Sequence, residues 1–247
     1  MITLKNKNQI QTMQTGGAIL KNILDQLVAD IRPEQNCQFL ERLAKKLIAK
    51  ANGQPSFYKY QGFPAAICCS INDEIVHGTP QKRILKSGDI ISIDIGLKYK
   101  GYHTDTATTI PVGRVKPKYL KLIQVTKKAL EKAISQTKAK SHLSDISHII
   151  QETIEKAGFK PVKECTGHGI GKNLHEDPPV PNFGPVGQGP EIKPGMTFAI
   201  EPMAVEGKGE VKIKSNGWTI STIDGGFAAH FEHTVAVTES GCLVLTA

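Results

Sequence analysis

Four carboxylates and one imidazole from position 94 onward lie in motifs suited to holding metal: Asp94, Asp105, His168, Glu201 and Glu232. Such hard-to-borderline donors suit a pair of divalent cations better than a single structural zinc. The stretch Asp89–Gly96 alternates apolar and polar residues as a half-buried strand does. It leads through a polar turn near Lys98–Gly101 into a second strand, Tyr102–Val112. A bend centred on Tyr99–Lys100 sets Asp94 directly opposite Asp105. Side chains so paired have Cβ atoms roughly 4.5–5.5 Å apart, and like charges there repel. Two metal ions roughly 3.5–4 Å apart would relieve that repulsion, as in dinuclear hydrolases.

The other donors stand in equally constrained surroundings. His168 lies in Thr166-Gly-His-Gly-Ile-Gly171, where three glycines let backbone come close on either side of one ring. No Lys-Ser/Thr follows, so a phosphate loop is disfavoured. Glu201 ends a short apolar strand, Met196–Ile200, and Pro202 stops the ladder. Glu232 interrupts a run of strand formers, Ala229–Val235, that would ordinarily bury no charge. A buried carboxylate needs a partner, and a cation supplies one. The chain has no HExxH, Cys-x-x-Cys or GxSxG pattern, which removes the metzincin, zinc-finger and serine-hydrolase readings.

The elements that must carry these residues follow from periodicity. Helical spacing predicts helices over Gln9–Ile31 and Glu34–Ala51, with Pro33 at the break, then strands up to Pro111-Val112-Gly113. The pattern recurs as helices over Pro117–Gln136 and Leu143–Ala157, a capping Gly158, and strands from Pro161 onward. Two rounds of helix, helix and strands imply an α+β chain with one catalytic domain over 1–247. Its two similar halves, about 1–113 and 117–247, share one site without any residue-level repeat.

Composition bounds the setting. No stretch approaches the roughly 20 apolar residues of a membrane span, and the start lacks a signal-peptide core. The five cysteines, an odd number with Cys68 and Cys69 adjacent, fit free thiols in a reducing cytoplasm. Strand alternation turns one of that adjacent pair toward the site. The net charge of +8 comes mostly from scattered lysines, which read as a solvated surface. Lys208, Lys212 and Lys214, among glycines in a hairpin loop, are the candidate contact to ribosomal RNA. No obligate interface is visible, and a monomer is expected.

Six segments in order resemble methionine aminopeptidase: Asn72–Pro80, the Asp94/Asp105 hairpin, Thr166–Gly171, Asn173–Glu176, Phe198–Met203 and Phe231–Thr234. The resemblance covers nearly the whole chain and implies the pita-bread fold of peptidase family M24, two pseudo-symmetric helix–helix–antiparallel-sheet halves. It implies two divalent ions (cobalt, manganese, iron or zinc) bridged by Asp105 and Glu232, with Asp94 completing one site and His168 and Glu201 the other. It also implies that Glu201 is general base and acid, that His175 donates to the developing oxyanion, and that His77 binds substrate near the scissile amide. The methionine pocket would be Tyr60, Phe63, Cys68, Leu174 and Trp218, and the substrates nascent polypeptide N-termini with a small second residue. Leu174 stands where relatives often carry phenylalanine, and His230 where glutamine is common. His103, His230 and His233, close to ligands in sequence, are expected to act at most by supporting them. Only 31 positions separate Glu201 from Glu232, which leaves no room for a helical insert and indicates the short type 1, bacterial-style branch. An Xaa-Pro peptidase of the same fold is the nearer alternative, although those relatives usually carry an additional N-terminal domain. A non-enzymatic binding scaffold is the more distant one.

Overall fold

The computed structural model describes all 247 residues, Met1–Ala247. Helix α1 (Lys7–Ala29) begins at Asn6, whose side chain accepts from the Gln9 N–H at 3.0 Å while Gln9 Oε1 accepts from the Asn6 N–H at 2.8 Å. This reciprocal cap sets the start two residues before the position that apolar spacing marks, because Asn caps and Gln closes the box. Helix α2 (Cys37–Lys50) starts after Asn36, whose side chain accepts from the Phe39 N–H at 3.0 Å. The expected start at Glu34 is therefore corrected: Glu34 takes φ 70°, outside any helix. Helix α3 (Pro117–Gln136) has proline at its first turn, as expected. Helix α4 (Leu143–Lys156) is capped by Asp145, which accepts from the His142 N–H at 2.9 Å, and stops two residues before left-handed Gly158.

The nine-stranded sheet is antiparallel throughout. Its main path runs Gln54–Pro55, Ile90–Tyr99, Tyr102–Pro111, Glu232–Thr238, Thr197–Ile200, Thr166–Gly169 and Glu176–Pro181. Ile67–Ile71 also pairs with Ile90–Tyr99, and Gly241–Val244 with Glu232–Thr238. Strands from before and after position 113 meet where Glu232 pairs with Ala107 and His233 with Thr106.

Alternation sorts the side chains of this sheet into two faces. On one, Ile91, Ile93, Ile95 and Leu97 form a buried cluster with Leu20, Leu24 and Leu27 of α1 and Leu40 and Ile48 of α2. Farther along the sheet, Phe198, Ile200, Val235 and Val237 do the same with α3 and α4 through Leu122, Leu130, Ile146 and Ile150. Burial of such side chains contributes roughly 1.5–3 kcal/mol each, so the helices anchor this face. α1 lies so close that a Cβ on Gly17 would meet the Leu245 carbonyl oxygen at 2.1 Å. The other face carries the candidate ligands.

The hairpin register differs from the sequence expectation. The turn is Lys100–Gly101, closed by Tyr99 opposite Tyr102, and both turn residues have positive φ, 46° and 86°. A two-residue turn of that kind matches the twist of paired strands. The register moves accordingly: Asp94 faces Ala107 and Asp105 faces Gly96. The two carboxylates are diagonal neighbours on one face rather than a directly opposed pair.

Two three-stranded sheets flank the main one. One contains Met203–Val205 and Ala228–His230. The other joins Val211–Ile213 and Ile220–Thr222 to Glu74–Val76, which brings the Trp218 turn beside the His77 segment. Lys214 forms ion pairs with Asp73 and Glu74, each at 3.0 Å. Of the three lysines singled out in the sequence, Lys208 and Lys212 are exposed and Lys214 is half-buried in these ion pairs.

Candidate active site

The same parity that turns isoleucines toward the helices turns Asp94 and Asp105 the other way. Glu232 is opposite Ala107, two positions along from Asp105, and shares its face. His168 is opposite Ala199, itself opposite Thr234, so it too projects there, with Glu201 just past the end of Thr197–Ile200. Five strands thus deliver five donors to one face, and all five residues are buried.

Donor atoms of Asp105, His168 and Glu232 lie within 4.8 Å of one another. Glu201 Oε1 is 3.8 Å from His168 Nε2. His168 Nδ1–H donates to the Gly169 carbonyl at 2.9 Å, which leaves Nε2 its lone pair. On the second carboxyl oxygen of Glu201, His230 Nε2 approaches to 3.2 Å. Of the three histidines considered for support, this is the one in contact with the candidate ligands. His103 Nδ1 pairs with Ser56 Oγ and His233 Nδ1 with Thr246 Oγ1, each at 2.9 Å.

Without a cation these carboxylates resist ionisation. Burial, then the charges of Asp105 and Glu201, push Asp94 well above its usual value. Burial, then Asp105, Glu201 and Asp94, do the same to Glu232. Burial raises Asp105 to about 7, helped by Glu201, and burial raises Glu201 to about 8. Burial also holds His168 neutral, down to about 3, and His77 down to about 4. Asp94 Oδ1 and Glu232 Oε1 are buried without a hydrogen-bond partner. Neutral imidazole, clustered carboxylates and orphaned oxygens are what a divalent-cation site requires, so the residues present fit a metal.

All seven remaining site candidates line the same cavity, of about 110 Å³. Phe63 meets Trp218 edge to face at 5.4 Å. Cys68 pairs with Asp94 across the strands and faces the cavity, whereas Cys69 joins the core. Leu174 is buried in the wall. His175 Nδ1 is 2.9 Å from the Tyr60 hydroxyl, and its ring stands edge-on to His168 at 4.2 Å. His77 holds φ 57°, a conformation a non-glycine residue adopts only when its surroundings impose it. Here the imposed contacts are Thr219 Oγ1–H donating to its carbonyl at 3.2 Å and the Gly78 N–H donating to Ser70 Oγ at 3.1 Å.

Three lining residues escape sequence reasoning: Phe57, Gln61 and Val76. Gly96 is the one trace of Phe57, since a Cβ there would meet Phe57 Cε1 at 2.9 Å. Gln61 sits in an irregular turn, at φ 48°, that no periodic pattern announces.

Clustered buried carboxylates and a neutral imidazole under an apolar, aromatic wall make a candidate metal centre opening on a substrate-sized recess. The profile of metallopeptidase family M24 matches residues 11–239, and the chain belongs to that family. It is 45% identical over 246 residues to methionine aminopeptidase 1 of Bacillus subtilis, covering 100% of this chain and 99% of that protein. The methionine aminopeptidase of Clostridium acetobutylicum is 46% identical, over 100% of this chain and 99% of its own. Among solved structures, the methionine aminopeptidase of Thermotoga maritima superposes with a TM-score of 0.98 at 42% identity, covering 100% of this chain and 99% of that one. The prolidase of Pyrococcus horikoshii, with a TM-score of 0.79 at 21% identity over 99% of this chain and 63% of its own, shares the fold alone. The chain therefore has the pita-bread fold, and divalent-metal use comes with the family.

Proposed function

We propose that the protein is a methionine aminopeptidase of the short type 1 branch, one catalytic domain that removes the initiator methionine from polypeptides with a small second residue. The observation that carries this reading is the cavity itself: five buried donors make its floor, and Tyr60, Phe63, Cys68, Leu174 and Trp218 make an apolar, aromatic wall beside them. Flexible and aromatic surfaces of this kind suit a thioether.

Asp94, Asp105, His168, Glu201 and Glu232 would hold two divalent ions. Bound there, the ions supply Lewis acidity toward a carbonyl and a water and neutralise the carboxylates. The chain's own groups do the rest. Glu201, its carboxylate 3.8 Å from His168 Nε2, takes a proton from the attacking water and returns it to the departing amine. With the Tyr60 hydroxyl 2.9 Å from His175 Nδ1, a Tyr60 O–H donated to Nδ1 would leave the ring proton on Nε2, to be offered to the oxygen that gains charge. His77, neutral and fixed by its backbone, contacts the scissile amide. The substrate's free amine would lie on the Asp94 side of the site, which would confine cleavage to the first residue.

The substrates are nascent chains. Lys208 and Lys212 form the contact to ribosomal RNA, and the protein works as a cytoplasmic monomer. No helix is long and apolar enough to cross a membrane.

The test is release of free methionine from Met-Ala-Ser and Met-Lys-Ser by metal-stripped protein, with manganese or iron restored. Metal-dependent cleavage of the first and not the second is expected. No release with any metal from folded protein would overturn the assignment.

A further inference from the structure

The segment Gly171–Glu176 hands Leu174 and His175 to the cavity, yet Asn173 and Glu176 face away from the chemistry. Behind it lies Lys5, from the stretch before α1. Its ammonium group is 2.6 Å from Glu176 Oε2, and the two side chains are only 4% and 10% exposed. Lysine is almost never this buried unless paired. Nζ also donates to the Thr3 carbonyl at 3.2 Å. The other carboxyl oxygen of Glu176 accepts from the Asn173 N–H at 3.0 Å.

The pair is built into its surroundings. A Cβ on Gly171 would lie 2.4 Å from Lys5 Cε and 2.8 Å from Glu176 Oε1, so the last glycine of the His168 motif leaves the space that Lys5 fills. The Gly171 carbonyl accepts from the His103 N–H at 2.7 Å, and the Lys5 N–H donates to the Gly195 carbonyl at 2.7 Å. Lys5 is thereby fixed at its backbone and its ammonium end, and it grips the loop through the residue next to His175.

We propose that Lys5 is a positioning residue for the reaction: through Glu176 it holds the Gly171–Glu176 loop so that His175 meets the developing charge in register. The inference rests on the aminopeptidase reading for the role of His175, while the clamp itself stands on geometry alone. A buried pair broken on one side leaves an uncompensated charge, and a displacement of about 1 Å in a positioning group costs on the order of 100-fold in rate.

The experiment uses the full-length protein with saturating manganese and compares Lys5→Met with Lys5→Arg. Methionine release from Met-Ala-Ser gives kcat and KM per folded molecule, and amide hydrogen exchange is followed in peptides covering residues 169–176. For Lys5→Met we expect kcat to fall about 10–100-fold with KM near wild type, and exchange in 169–176 to accelerate while α4 stays protected. Lys5→Arg, which keeps the charge and the reach, recovers most of the rate. Unchanged kcat in folded Lys5→Met, or exchange in 169–176 like wild type, overturns the proposal. If wild-type protein itself releases no methionine, the aminopeptidase reading fails, and the exchange comparison alone decides whether Lys5 holds the loop.

Discussion

The Thr234 hydroxyl replaces a ladder rung for Asp105: it accepts from the Asp105 N–H and donates to the Asp105 carbonyl, both at 2.8 Å. Regular pairing between these strands covers only Glu232 with Ala107 and His233 with Thr106. One side chain thus extends the seam between the two strands at the point where two candidate ligands face the cavity. Thr234→Val keeps the shape but orphans a buried N–H, at a cost of about 1–3 kcal/mol. Urea denaturation of the metal-free protein checks the stability loss. Calorimetric titration with manganese should show weaker binding, since Asp105 is no longer held.

Glu201→Gln removes the proposed proton carrier with little change of volume. Turnover of Met-Ala-Ser at saturating manganese should fall by about 10²–10⁴-fold. Single-turnover kinetics separates this from lost binding, and a rate within threefold of wild type would remove Glu201 from that role.

Tyr60→Phe keeps the aromatic wall and deletes the hydroxyl on His175 Nδ1. A neutral hydrogen bond contributes about 1 kcal/mol, so kcat should fall roughly 5-fold, given about 1.4 kcal/mol per tenfold in rate. If the bond orients the ring rather than the substrate, KM stays put.

The buried carboxylates make the metal-free protein sensitive to alkali. Asp94 and Glu232 titrate well above their ordinary values in the fold, with Asp105 at about 7 and Glu201 at about 8. The folded state therefore holds more protons than the unfolded chain, and stability falls as pH rises through those values. Between about pH 7 and 7.5 ordinary histidines are already neutral and ordinary thiols still protonated, so the carboxylates dominate this slope. Thermal melting of metal-free protein should weaken across that window. Manganese should remove the slope and raise Tm most at the alkaline end.

Lys208→Ala with Lys212→Ala should weaken salt-sensitive cosedimentation with ribosomes and leave tripeptide turnover unchanged. Lys214→Ala should instead lower stability, because it strands Asp73 and Glu74. Undiminished cosedimentation of the double variant would remove the RNA contact.

Why much of this was legible from the sequence, and some was not, has a physical basis. Pro117 and the apolar spacing behind it fixed α3 to the residue, since both signals are local. The Asp94 register was off because a turn one residue farther along, at Lys100–Gly101, shifts every pairing, and composition alone does not place a bend. Asn36 caps α2 through its side chain, a contact that apolar spacing does not register because Glu34 fits the same helical period. The Lys5–Glu176 pair spans 171 positions, and the His230–Glu201 contact depends on how two separate strands end. Neither leaves a periodic trace.

The five candidate ligands share a face only because each strand keeps its count of residues. An insertion or deletion of one residue within Ile90–Tyr99 or Glu232–Thr238 would rotate everything beyond it by half a turn. An isoleucine would enter the cavity and a carboxylate the helix-packed core. A two-residue change would preserve the face but slide the donor by roughly 6–7 Å along the strand, out of reach of its neighbours. Length variation compatible with this site is thus confined to the connections, and the strands read as a ruler graduated in pairs.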